Sequence, residues 1–380
     1  MKTLKNFIPA ILFVSVLFLN SCENNMFQNP ETKSGILPER FKVDIPGSLS
    51  REFKSAELKS ADGNQSADTL NGNAIYSHLA NFIAVGEGAA DIVEVIIFTI
   101  AIYDIDEPMT LSFQGDDDHR VKNLVVEELS EYEGRTWEFG MTITDAESEG
   151  DADGGKALQI FWNTKPIEGI AILRPYHIDR IHNREALDAI FRIEYSEVGM
   201  NDYEAYMIVE IADMPMPDPR LNRFALHNLK MFVGKEGDRI DVYGNSDHPN
   251  AKFFTDKVGF SWSFVASGYD SQDIGVAEVG LPPSTMNETD RNILLNDYSI
   301  KKVLTEEVTQ WFINNIGIRP DSADLAAYLH NAGAPGYFAN KGFVQAGISP
   351  GEEYIDLVKA IQDLVPNNPK DVHDLSIEFK

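Results

Sequence analysis

Cysteine is almost missing from this chain: Cys22 stands alone among 380 residues. From residue 23 onward there can be no disulfide, no thiol nucleophile and no cysteine-held metal. Positive charge is also scarce, with 32 Lys and Arg against 60 Asp and Glu and a formal net charge of −28. A surface of that sign repels nucleic acid and anionic lipid head groups, so neither is expected as a partner. Long apolar runs are lacking beyond the first twenty or so residues. The nearest, 92–103, is about twelve residues long, is broken by Glu94 and reads as a buried helix, since a spanning helix needs roughly 20. No internal repeat and no HExxH-type ligand set occurs.

What is present begins with the first 22 residues. Lys2 and Lys5 supply positive charge, residues 7–19 are almost wholly apolar, and Leu19, Asn20, Ser21 and Cys22 follow. A basic start, a short apolar stretch and a small residue before the cleavage point are the three zones of an export signal. With the cysteine placed directly after Ser21, the segment resembles a bacterial lipoprotein precursor, whose Leu-x-[Ser/Ala/Gly]-Cys box is matched by Leu19 to Cys22. The resemblance covers only residues 1–22. It implies cleavage after Ser21, a thioether-linked diacylglycerol on Cys22 with fatty acyl chains such as palmitate, and a membrane partner reached through that anchor. The expected location is the cell envelope, at the outer membrane. Loss of residues 1–21 removes Lys2 and Lys5, taking the net charge from −28 to −30. An exported chain this long can bury enough apolar surface without disulfides.

The mature chain divides by pattern. Residues 22–70 are rich in Ser, Asn, Glu and Lys and read as a flexible tether, interrupted at 41–46 by an alternation that could dock as a short edge strand ending at Pro46. Residues 71–380 read as one α+β domain. From 71 to 108 the apolar spacing is helical, and Gly86 and Gly88 suggest a break between two helices. From 109 to 283 the period changes to two. Trp137, Phe139, Met141 and Ile143 alternate with Glu138, Gly140, Thr142 and Thr144; Leu158, Ile160 and Trp162 with Gln159, Phe161 and Asn163; Phe191, Ile193 and Tyr195 with Arg192, Glu194 and Ser196; Met207, Val209 and Ile211 follow, and finally Phe260, Trp262 and Phe264 are separated by serines. About eight antiparallel strands follow from this, forming a large antiparallel β-sheet as a sandwich or partial barrel. The tryptophans share parity with the large apolar residues of their strands, which places them in the core. Residues 284–380 read as mostly helical. Thr305 caps one helix that ends at Gly317, Asp321 and Ser322 cap a second, and Ser349-Pro350 opens a third that stops before Pro366. Residues 375–379 alternate once more and suggest a returning strand.

Four motifs invite chemistry. Gly347, Ser349 and Gly351 match the G-x-S-x-G elbow, but Pro350 removes the backbone N–H that the oxyanion hole requires, so these letters read as a helix start. Gly86-Glu87-Gly88 has the first spacing of a dinucleotide fingerprint, yet Asp91 stands where a small residue is needed and its charge opposes a pyrophosphate. His177 and His182 flank Asp179 at a spacing that a helix would put on different faces. Asp145, Glu147, Glu149, Asp151 and Asp153 alternate around Gly150 and form a weak calcium candidate. Lys156 occupies the position of the bidentate twelfth ligand, so this is no EF-hand, and the plain reading is an acidic, solvated hairpin tip. Asp116 to His119 form a second acidic tip, and residues 243–250 a further polar cluster expected at a strand end. No cofactor is called for, calcium apart. The expectation is a lipid-anchored, non-catalytic binding or assembly module with an envelope protein or a glycan as partner. The rivals are an envelope hydrolase whose site forms only in three dimensions, and a chiefly structural component.

Overall fold

The computed structural model describes residues 36–50, 71–101, 105–115, 118–218, 224–252, 259–326, 328–340 and 342–380. The segment read as an export signal, Cys22, Asp116 and most of the stretch read as a tether lie outside the described residues. Among the described residues, thirteen strands form one antiparallel sheet whose order follows the chain from β1 to β13. The sheet is not closed, and it is a single sheet where a two-sheet sandwich is one of the expectations. Two compact units divide it, one from Met1–Lys42, Gly88–Val198 and Ile377–Lys380, the other from Val43–Glu87 and Gly199–Ser376.

The first unit holds β1 (Met109–Gln114), β2 (Val121–Tyr132), β3 (Arg135–Asp145), β4 (Lys156–Thr164), β5 (Ile167–Leu173) and β6 (Ile190–Ser196). Two of its connections, β2–β3 and β4–β5, are two-residue hairpins. Between β2 and β3 the turn is Glu133-Gly134, both at positive φ (49° and 73°), the backbone that matches strand twist in a two-residue loop. The alternation read from the sequence becomes a straight apolar row. Val126, Met141, Ile160, Ala171 and Ile193 are cross-strand partners from β2 to β6, and all five are buried. Phe41 packs on this unit, and Trp162 Nε1 donates to Ile36 O at 2.7 Å.

The second unit holds β7 (Ala205–Ala212), β8 (Asn228–Glu236), β9 (Arg239–His248), β10 (Phe260–Tyr269), β11 (Ile274–Gly280), β12 (Gly336–Ala339) and β13 (Gly342–Ala346). Met207, Val233, Val242, Ala266, Ala277 and Gly336 are its corresponding row. Against it lies the N-terminal half of helix α1 (Gly72–Ala101), with Phe82 edge-on to Trp262 at 5.3 Å. Small residues in the row permit this approach, because a Cβ on Gly336 would come within 2.5 Å of the Tyr76 ring. On the opposite face Val265 and Val276 are buried with Leu295, Tyr354, Leu357 and Ile361.

Several expectations change. Gly86 and Gly88 do not break α1, which runs through both. A Cβ on Gly86 would lie 2.4 Å from Met231 Cε, so this glycine serves close packing, and neither a nucleotide loop nor a helix–helix turn exists there. Residues 36–50 lie within the stretch read as a tether, yet Phe41, Val43, Ile45 and Leu49 are buried. They join no strand of the sheet, and residues 47–49 form a turn; Glu94 accepts Phe41 N–H at 2.7 Å in the first unit, and Glu87 accepts Ile45 N–H at 3.0 Å in the second. The stretch read as mostly helical contributes β12 and β13. A four-residue helix, α2 (Pro175–Ile178), belongs to the first unit. Helix α3 (Ile300–Ile316) begins before Thr305, whose hydroxyl donates to Lys301 O, and ends at Gly317 as expected. Asp321 caps α4 (Ser322–Ala326), accepting from the N–H groups of Ala323 and Asp324. Ser349 Oγ donates to Gly351 O, ahead of a 3-10 turn and α5 (Ile355–Ala360). Residues 375–380 form no strand, because α6 (Pro369–His373) precedes them and only isolated contacts follow, such as Lys380 N–H to Gln159 Oε1.

Candidate functional site

The densest charge chemistry lies in the first unit, where three connections meet. The β1–β2 connection brings Asp118, Arg120 and, at the start of β2, Lys122. The β3–β4 connection brings Asp145, Glu147, Ser148, Asp151 and Asp153. Helix α2 and the turn after it bring His177 and Arg180. Loop closure holds Asp145 and Ser148 inward, and both are buried. Asp145 N–H donates to Gly155 O at 2.9 Å, and Gly155 sits at φ 68° against Ser148, where a Cβ would approach backbone to 2.6 Å.

Asp145 is the centre. Arg120 grips it bidentately, Nε to Oδ2 and Nη2 to Oδ1, both at 2.7 Å. Lys122 Nζ donates to Asp145 Oδ2 at 2.9 Å, to Asp118 Oδ2 at 2.9 Å and to His177 O at 2.8 Å. Those three acceptors satisfy all three N–H bonds of an ammonium that is 3% exposed, beside a carboxylate that is 0% exposed. Burial pushes the Asp145 carboxyl up, but the bonds from Arg120 and Lys122 outweigh it and hold the group well below the usual carboxylate range. The same bond raises Arg120.

Around this floor stands a rim. Glu147 takes Arg120 Nη1 at 3.0 Å and Glu149 takes Asn123 Nδ2 at 3.0 Å, and both are exposed, as is Asp151. Asp153 lies 3.1 Å from Arg174 Nε and 3.6 Å from His177 Nε2. Burial lowers the His177 pKa; Asp153 opposes this, while Arg180 and Arg174 add to it, so the ring is neutral at neutral pH. Arg180 stacks over Tyr176 at 4.5 Å and approaches Asp151 at 3.6 Å.

The five acids of the calcium candidate therefore do not converge. Asp145 faces inward onto cations, Glu147 and Glu149 go to separate partners, and only Asp151 and Asp153 approach one another, joined by His177 with ligand atoms within 4.8 Å. Arg174 and Arg180 already stand beside those two carboxylates, so an ion there would have to displace a guanidinium. The hairpin tip is solvated at its rim and dry at its base, a correction to the plain reading. Asp118 of the second acidic tip joins the floor. His182 goes to Asp179 at 2.5 Å and takes no part in the His177 cluster. Residues 243–248 belong to β9 and are mostly buried, not a loop. Arg120, Lys122, Arg174 and Arg180 carry no motif, because they are gathered from connections about sixty residues apart in sequence. Compared with known proteins, the chain matches no family model, no curated protein and no solved structure.

Proposed function

We propose that this chain is a lipid-anchored, non-catalytic binding module of the bacterial envelope, held at the outer membrane through Cys22, and that it engages a basic segment of another envelope protein. The closure of the charge cluster carries the binding reading. Both oxygens of Asp145 and all three N–H bonds of Lys122 are committed to fixed partners, which leaves a rigid, ion-paired floor under an outward-facing acidic rim of Glu147, Glu149 and Asp151. A general acid or base must be free to exchange a proton with a substrate, and a nucleophile needs a nearby base. A preformed acidic rim instead complements cationic side chains and steers them by charge. A glycan partner is the weaker alternative, since Trp137, Trp162 and Trp262 are buried and offer no stacking platform.

The test is crosslinking in cells followed by capture of the tagged, detergent-extracted protein. Capture of a basic partner that is weakened by added salt and lost in a Glu147→Gln, Glu149→Gln, Asp151→Asn variant supports the proposal. A partner retained by that variant at full yield places the binding surface elsewhere.

A further inference from the structure

The second unit contains a buried polar patch that the proposed binding surface does not use. Asn245 and Asp247 lie two apart on β9, so they share a face of the sheet. Their partners across the ladder are Ser263 and Ser261 on β10. All four are at most 1% exposed. Four polar side chains in one buried square are unusual on a sheet face that, two residues further along, carries Val265 in the apolar core.

Hydrogen bonding leaves the square incomplete. Asn245 Nδ2 donates to Ser263 Oγ at 2.7 Å and to Ser261 Oγ at 3.2 Å. Asn245 Oδ1 and Asp247 Oδ1 are buried with no hydrogen-bond partner among the described residues, and Ser284 Oγ, just beyond β11, is a third buried oxygen in that condition. Charge is incomplete as well. Asp247 Oδ2 faces His373 Nδ1 at 3.1 Å, and that ring carries charge only when protonated. No Lys or Arg among the described residues forms an ion pair with Asp247. A buried carboxylate without a fixed countercharge is costly, and two unpartnered oxygens side by side on one strand face are the donors of a hard cation.

We propose that Asp247 Oδ1 and Asn245 Oδ1, flanked by the hydroxyls of Ser261 and Ser263, bind a hard, oxygen-preferring cation beneath α6. With one carboxylate in the set, charge balance favours a monovalent ion of the sodium type over calcium. The unpartnered donors of the square are all oxygens, which disfavours the softer transition metals. Asn228 Nδ2 donates to Val372 O and His373 O at 3.0 Å, tying the end of α6 over the same strands, so the ion would fasten the C-terminal segment to the sheet.

Thermal unfolding of the full mature chain in sodium chloride, potassium chloride and choline chloride of equal ionic strength tests this. The expected result is a saturable rise in Tm with sodium over choline, of about 2–6 °C, together with sodium-23 line broadening. Asp247→Asn should abolish both. Should that variant fail to fold, Asn245→Asp gives an independent reading: a second carboxylate should move the preference from sodium to calcium. Equal Tm in all three salts, or a sodium response kept in Asp247→Asn, overturns the proposal and leaves a buried water as the occupant of the square.

Discussion

Asp145→Asn is the perturbation that asks most of the charge cluster. The substitution keeps the shape and removes the charge from a fully buried carboxylate that holds Arg120 by two bonds and Lys122 by one. Asparagine can still accept at Oδ1, but its Nδ2 would point a donor at donors. Lys122, 3% exposed, would keep Asp118 as its sole carboxylate. Removing one partner of a buried ion pair costs about 3–5 kcal/mol, which corresponds to a fall in Tm of roughly 10 °C. The two units need not unfold together, so the probe must report on the first. Replacing Trp262 and Trp311 by Phe leaves Trp137 and Trp162, both in that unit, as the fluorophores. The pH dependence has a definite sign. The folded-state pKa of Asp145 is depressed, so its stabilisation is complete above the unfolded value of about 3.9 and is lost as pH falls through the folded value below that. The gap between wild type and Asp145→Asn should therefore be flat from neutral pH to about pH 5 and shrink in stronger acid. Adding Lys122→Met to Asp145→Asn should recover part of the loss, because the stranded cation is then gone. A loss under about 1 kcal/mol, or no recovery in the double variant, would refute the claim that the cluster is a buried, committed network.

Other outcomes follow from the same geometry. Tryptophan emission should be blue-shifted and nearly insensitive to iodide, apart from the contribution of the part-exposed Trp311; strong quenching, reversed by an added oligosaccharide, would revive the glycan reading. Gly88 lies inside α1 with open space where a Cβ would stand, so Gly88→Ala should stabilise by about 0.5–1 kcal/mol. A loss there in chemical denaturation would point back to a helix break. Gly280→Ala should destabilise by more than about 2 kcal/mol, since its Cβ would fall 1.8 Å from Leu294 O, a backbone atom that cannot swing away. Tm should be the same in excess chelator and in excess calcium, because Arg174 and Arg180 already face Asp153 and Asp151; a calcium-specific rise that Asp153→Asn removes would contradict this.

How far the fold is legible depends on the range of the forces involved. Alternation is local, so β3, β4, β6, β7 and β10 can be read from the parity of Trp137, Ile160, Ile193, Val209 and Trp262. Strands whose two faces carry side chains of the same polarity lose that signal. In β9 polar Asn245 and Asp247 alternate with Ser246 and His248, all buried, so the segment reads as a loop. Burial pushes the His248 pKa down to about 3, the mark of a ring kept neutral in a dry setting that no local pattern announces. Gly86 misleads because its role depends on Met231, distant in sequence. The acids of the β3–β4 connection are visible in the sequence, whereas their cations are not, since Arg120, Lys122 and Arg180 reach Asp145 only through tertiary packing. The proposed anchor is the opposite case. A processing signal is read from contiguous residues, so the resemblance at Leu19 to Cys22 rests on sequence and not on any fold.

The anchor underlies the whole functional proposal, and the N-terminus of the mature protein tests it most directly. Mass spectrometry of the detergent-extracted protein should find a chain that begins at Cys22 and carries a thioether-linked diacylglycerol, present in the membrane fraction. Cys22→Ser should remain unprocessed or appear in the soluble fraction. An unmodified Cys22, or a serine variant that loses residues 1–21 and still partitions into detergent as wild type does, would contradict the proposal that this chain is a lipid-anchored envelope protein.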